Sequence, residues 1–520
     1  MRMRVQDDTL LFRAAVATFA ASLVALFVAL PSVSQFSPDA WTVYELAGTI
    51  GRDFFRANTA REYVTGSAYS SAFAPAWPLI VALFTQITGN IYGSYVASFL
   101  SYGAFAAAAE LFGRRALGIR SVGMLSALLM LRFLGLREEL SSGRSIPFYL
   151  CELALLGTLL INLDTAPRYR SALTGLLAGA MLMTRFDALP AVAALVVGAP
   201  FTGVTRDRMA VLAGCIIVAV APWIVYSLAH FGTVFVTDNR TVVLSLDPRA
   251  FVYDFHRDAQ PTLFDAPWTW LAKVIRHIPS IGKAVALSAL ESVFFPILVI
   301  LGATIALRAG LPGAKGDLEP IGRPGLTAAR SPAIRLFVLI ALAPLAGNVL
   351  TGYWDHRYFT AAIWLGELQL LAYLLRVPNG AARVAIVVLM VAAGGVNIAP
   401  LRFTLTTPPL TAMQVELDGG PSDALVACLR KDGARPDDGV VFTGRDVVSR
   451  FKFGALTRWR VLPIPSNWER LERAEQDEFL RRFHAVYVVD ARPSPSVPIS
   501  RRDVPLDCAL PLRKLSTYPP

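Results

Sequence analysis

Runs of about twenty apolar residues recur along the first 400 positions, separated by short loops rich in arginine, which is the spacing of helices that cross a bilayer. The first run, Leu10–Leu30, follows a short basic N-terminus and is predicted to be an uncleaved span with that terminus on the cytoplasmic side. Further spans are predicted at 91–112, 121–136, 146–163, 209–230, 283–307, 335–352, 358–375 and 383–399. The run Ala172–Pro200 is interrupted by Thr184-Arg185-Phe186-Asp187. A charge pair in mid-bilayer is expensive, so two short helices meeting at the outer face are predicted there. About eleven helices would then cross the membrane, the two chain ends lying on opposite sides.

Between the spans, polar residues fall in two long outer segments, 32–90 and 232–281, and in a Gly- and Pro-rich inner loop at 308–334. Within the first, the apolar stretch 76–88 is too short to span and is predicted to lie along the interface. After Pro400 the apolar runs shorten to strand length, as in Val440–Thr443 and Ala485–Asp490, with a charged helical stretch at 468–483 between them. That pattern predicts a small α/β domain over 401–520, attached to a membrane module over 1–400 that includes both outer segments.

Composition agrees with the pattern. Of 520 residues, 54% are hydrophobic and only 17% charged, and the mean hydropathy of +0.50 excludes a soluble enzyme of ordinary surface. The net charge of +11 does not indicate nucleic acid, because the basic residues are scattered in loops rather than gathered in one patch. The predicted location is the inner (plasma) membrane, multi-pass, with the C-terminal domain outside the cytoplasm. Of the four cysteines, Cys428 and Cys508 fall in that domain and are predicted to form a disulfide. No CxxC or Cys/His spacing suits structural zinc.

Candidate chemistry collects at the ends of the membrane segments. Asp39 follows the first span within Phe36–Ala47, behind Pro38 and ahead of Trp41 and Tyr44, where lipid, sugar and water can meet. Glu138, Glu139, Arg144, Arg185, Asp187, His356 and Arg357 lie on the same predicted face. Carboxylates beside arginines at headgroup depth suit a base that activates a hydroxyl and a guanidinium that grips a phosphate. Each also has a plain structural reading: Asp39 as a turn or cap residue, Arg185 and Asp187 as a pair at a tight turn, Arg357 as an interfacial anchor, Glu138 and Glu139 as a solvated loop.

Pro38-Asp39 with Tyr44 and Ala47, then Pro75 and Pro78-Leu79, resembles the first outer loop of the GT-C class of glycosyltransferases. Thr184–Asp187, Ala221-Pro222-Trp223 through Phe231-Gly232, and His356-Arg357-Tyr358-Phe359 resemble further segments of that class in the same order, over roughly residues 10–375. The class includes the similar protein mannosyltransferase and aminoarabinose transferase superfamily. Two departures stand out: Arg137-Glu138-Glu139 is no clean counterpart of the usual second acidic residue, and Ala361-Ala362 replaces an expected proline.

The resemblance implies a polytopic α-helical GT-C-like fold and inverting transfer of a sugar from a polyprenyl-phosphate donor. Asp39 would be the general base and Arg357, Arg185 and Arg144 the donor-phosphate ligands. Tyr44, Trp41, His356 and Asp187 would contact substrate. The acceptor would be a glycan, lipid or protein hydroxyl. No nucleotide loop is present or needed, and the motifs demand no cofactor. A divalent metal ion stays open, with Glu138 and Glu139 as its candidate ligands. A flippase or other transporter of lipid-linked sugars is the alternative, and it would place charges within spans, whereas most spans here read as clean.

Overall fold

In the computed structural model, the described residues are 2–30, 36–59, 69–237, 239–247, 254–256, 261–279, 282–283, 286, 331–351, 356–376, 380–406, 420–442, 447–489, 503–506 and 512–515. The chain forms two compact units. One holds Met1–Ser34, Tyr95–Pro222 and His277–Ala412; the other holds Gln35–Ser94, Trp223–Arg276 and Met413–Pro520. Both outer segments fold largely with the C-terminal domain.

The first unit is helical. Among the described residues four helices are long and apolar enough to cross a membrane: Thr9–Ala29, Tyr92–Leu117, Arg206–Phe231 and Arg357–Arg376. Shorter apolar helices include Ile146–Leu160, Phe186–Thr202, Pro332–Gly347 and Val384–Ala399. The break expected in 172–200 is present, with helix Arg168–Thr184 ending at Arg185 and a 3-10 turn Phe186–Ala188 leading into Leu189–Gly198. The span expected at 121–136 is instead two short helices, Val122–Met130 and Leu134–Ser141. Arg132 lies at that break and reaches to within 3.7 Å of the fully buried Glu367, so the buried carboxylate has a counter-charge. The span expected at 283–307 and most of the 308–334 loop lie outside the described residues.

Close helix crossings rest on small residues. A Cβ at Gly175 would stand 2.3 Å from Leu212 O and one at Gly179 2.5 Å from Ala219 Cβ, so this Gly-xxx-Gly face lets helix Arg206–Phe231 approach at backbone distance.

The second unit is built on a five-stranded sheet. Strands β1 (Gly439–Phe442), β2 (Val461–Pro463), β3 (Ala485–Val489), β4 (Asp503–Pro505) and β5 (Leu512–Leu515) lie in the order β2-β1-β3-β5-β4. β1 runs parallel to β2 and β3, and β5 antiparallel to β3 and β4. The short continuous apolar strands are buried on both faces, as parallel strands require. Trp468, Phe479 and Phe483 cover one face together with Phe255; Leu425, Leu429, Phe453 and Trp459 cover the other. Phe255 belongs to the second outer segment, and Asn467 fixes it by pairing with its backbone N–H and C=O at 3.0 and 2.7 Å. The first outer segment is fixed likewise: Thr59 bridges Val461 in parallel, and Val461 N–H donates to Asn58 O at 3.0 Å.

Candidate functional site

In the second unit, Asp39 occupies the first turn of helix Pro38–Thr49, half-buried, with Pro38 at the first helical position and the Ser37 hydroxyl accepting from Ala40 N–H at 3.2 Å. A carboxylate in this place is favoured by the helix dipole, and Pro38 costs no hydrogen bond. Trp41 is fully buried, edge-on to Phe36 and Tyr44 at 6.0 and 6.1 Å. Its ring packs on the buried side of the helix that carries Asp39 and has no exposed face. Tyr44 is the half-buried ring of the pair. Burial raises its hydroxyl pKa, and the nearby Arg458 charge partly opposes that rise.

Glu45, which the sequence reading passed over, is buried one position beyond Tyr44 and accepts the backbone N–H groups of Asn58 and Thr59. It ties the loop after the helix back onto the helix that carries Asp39.

In the first unit, three expected phosphate ligands are brought together. Arg144 precedes helix Ile146–Leu160, Arg185 follows helix Arg168–Thr184, and Arg357 lies in the 3-10 turn His356–Phe359. Glu139 organises two of them. It is completely buried, and its Oε1 lies 3.0 Å from Arg144 Nη1 and 3.6 Å from Arg357 Nη1, while its Oε2 accepts from Ile146 N–H at 3.3 Å. Arg185 grips Asp187 with two parallel bonds, Nε to Oδ1 at 2.9 Å and Nη2 to Oδ2 at 2.7 Å, and donates through Nη1 to Ser145 Oγ at 3.2 Å. Both the Arg185 and Arg357 guanidinium carbons lie over the Tyr358 ring, at 5.7 and 5.2 Å from its centroid.

Glu138 is exposed, whereas Glu139 beside it is completely buried. Consecutive residues on helix Leu134–Ser141 point to different sides, and the inward one meets the arginines. Both Glu139 oxygens are engaged, Oε1 by the two guanidinium groups and Oε2 by Ile146 N–H. Among the described residues no group of three or more His, Cys, Asp or Glu side chains is placed to bind a metal. His356 lies on the same turn as Arg357.

Three neighbours of this cluster were missed in the sequence. Tyr358 and Ser145 each adjoin an arginine already singled out. Glu152 is buried in the middle of helix Ile146–Leu160, with Thr184 Oγ1 donating to its Oε1 at 3.0 Å. An acid in an apolar run was its legible signal. With Glu367, it also corrects the impression that the spans are clean.

No protein-family model matches the chain, and no curated protein does. Solved structures do. ArnT from Cupriavidus metallidurans bound to undecaprenyl phosphate matches at 14% identity and a TM-score of 0.49, over 96% of this chain and 97% of that one. Archaeal oligosaccharyltransferase AglB from Archaeoglobus fulgidus, in complex with an inhibitory peptide and a dolichol-phosphate, matches at 12% identity and a TM-score of 0.50, over 92% of this chain and 69% of that one. At such identity the AglB likeness speaks for the fold alone, a GT-C-like helical fold with a small α/β domain.

Proposed function

We propose that the protein is a membrane glycosyltransferase that moves a sugar from a polyprenyl-phosphate donor to an acceptor hydroxyl with inversion at the anomeric carbon. The observation that carries this reading is the arginine cluster, in which Arg144 and Arg357 share the buried Glu139 and Arg185 is braced by Asp187. Planar guanidinium groups held in place before ligand arrives suit the oxygens of a lipid phosphate, and their charge stabilises that phosphate as it leaves the sugar. AglB was solved with a dolichol-phosphate, a ligand of the same chemical class.

On this reading Asp39 accepts the proton of the acceptor hydroxyl while the glycosidic bond forms, and the phosphate departs with the electrons of the broken bond. Tyr44, His356 and Asp187 serve the substrate directly or by bracing its ligands. The reaction takes place at the outer face of the cytoplasmic membrane, with the C-terminal domain on that side. Reporter fusions at residues 320 and 450 should read opposite sides; the same side for both would overturn the arrangement.

Mass spectrometry of cell-envelope glycans with and without the protein tests the function. Loss of one sugar from a lipid, glycan or protein is expected. Loss of the sugar with its lipid-linked donor trapped on the inner leaflet, rather than accumulating on the outer one, would instead establish the transporter reading, which the buried Glu152 and the Arg132–Glu367 pair favour.

A further inference from the structure

The opposite end of the same helices holds a second basic site. Helix Ile146–Leu160 has 15 residues, so at 1.5 Å per residue its far end lies roughly 22 Å from the end that Arg144 precedes. There a cleft of about 440 Å³ is lined by Arg115, Leu159, Ile161, Asn162, Tyr169, Arg170 and Leu173, a volume in the range of small-molecule sites. Asn162 turns the chain with a positive φ of 58° just past the helix end, a conformation Asn tolerates better than most residues, and so opens the floor of the cleft.

None of the lining residues is acidic. Other arginines at this end are engaged: Arg114 with Glu110 at 2.7 Å, Arg168 with Asp207 at 3.4 Å, and Arg208 and Arg376 with the carbonyls of Leu163 and Leu117 at 2.7 and 3.1 Å. Arg115 is exposed and, among the described residues, makes no hydrogen bond or ion pair. Arg170 is half-buried, donates through Nη2 to Thr158 O at 2.7 Å, and stands near enough to Arg115 for the two like charges to act on each other. Two neighbouring guanidinium groups without a carboxylate are held at an energetic cost that an anion would relieve. Leu159 and Leu173 continue the cleft along the apolar helix surface, and Tyr169 adds an amphipathic rim of the kind found at membrane interfaces.

We infer that this cleft binds the phosphate of an anionic phospholipid, Arg115 and Arg170 holding the headgroup and Leu159 and Leu173 receiving the start of its chains. The shared chemistry is a phosphate anion, and the apolar half of the lining assigns it to a lipid rather than to a soluble phosphate. This site is independent of the arginine cluster described above and of the function proposed for it.

The test is native mass spectrometry of the delipidated full-length protein titrated with phosphatidylglycerol, with phosphatidylcholine of the same chains, and with inorganic phosphate. Phosphatidylglycerol should be retained in preference to phosphatidylcholine. Arg115→Gln should weaken its binding about fivefold and Arg115→Gln/Arg170→Gln about twenty-five-fold. Because the Arg115 side chain is exposed, the single variant retains its fold and decides the matter even if the double variant does not. Equal retention of both lipids, or phosphatidylglycerol binding indifferent to Arg115→Gln, overturns the inference. Inorganic phosphate binding with the same sensitivity to Arg115 and with full competition against the lipid would overturn the lipid assignment.

Discussion

Glu139 Oε1 stands 3.6 Å from Arg357 Nη1, joining helix Leu134–Ser141 to a turn that enters a distant membrane helix. Because Glu139 is completely buried and Arg144 shares the same oxygen at 3.0 Å, removing its charge would strand two largely buried guanidinium groups. Glu139→Gln is expected to cost about 3 kcal/mol of stability, read as a lowered unfolding temperature of the detergent-solubilised protein. A variant as stable as the parent would show that the arginines have other adequate counter-charges.

Arg357→Lys separates charge from geometry. Lysine keeps the positive charge but loses the fork that can meet two phosphate oxygens, and the broad face that stacks on Tyr358. Donor affinity should fall at least tenfold, with folding retained. Unchanged donor affinity and turnover would remove Arg357 from the phosphate site and leave Arg185 as the next residue to test.

Much of the fold was legible because bilayer crossing imposes long apolar runs. The break at Arg185–Asp187 was readable because an ion pair within such a run is costly. The break at Arg132 was not read, although the same argument applied to its single charge. Glu139 escaped because adjacent acids look alike in a sequence, and only helix phase decides which of them turns inward. The clamp by Glu45 and the buried packing of Trp41 escaped for a related reason. Their roles come from Asn58, Thr59 and Phe36, and the loop that brings these together has no periodic pattern. The division into units was illegible because Phe255 and Thr59 join the C-terminal sheet from loops rather than through strands of their own.

Cys428 is disulfide-bonded, whereas Cys151 and Cys215 are free; Cys508 lies outside the described residues. A Cys428–Cys508 bond would close a loop of roughly 80 residues and stabilise the α/β domain by about 3–5 kcal/mol. Peptide mapping of the natively exported, non-reduced protein should recover the two cysteines in one linked species. Recovery of Cys508 as a free thiol would refute the pairing.

Asp432 links that domain to pH. It accepts from Lys514 Nζ at 2.8 Å and from the Tyr487 hydroxyl at 2.7 Å, and those bonds, that from Lys514 foremost, hold its pKa below the ordinary carboxylate value. The ionised form is thus favoured by folding. Its contribution is complete above the unfolded-state pKa of about 3.9 and is lost as pH falls through the lower folded-state value. Asp432→Asn should flatten this acid limb of the stability–pH curve and leave the neutral region less stable by a constant amount. An unaltered acid limb in the variant would show that other carboxylates govern it.

Asp39 carries the most specific mechanistic expectation. It stands in the first turn of helix Pro38–Thr49, just after Pro38 at the first helical position and the Ser37 cap, which accepts from Ala40 N–H. Beneath it the buried Trp41 and the Glu45 clamp on Asn58 and Thr59 stiffen the helix, so the carboxylate is presented on a rigid support. A carboxylate placed beside the acceptor can take its hydroxyl proton as the glycosidic bond forms. Asp39→Asn preserves the cap and the packing while removing basicity, so sugar transfer should fall by roughly a hundredfold to ten-thousandfold with membrane insertion and unfolding temperature unaltered. Asp39→Glu should restore little, because an added methylene moves the oxygen farther than an aligned proton transfer tolerates. Should Asp39→Asn transfer sugar at the parental rate, Asp39 would be a capping residue only, and the base would have to be sought elsewhere, first at Asp187.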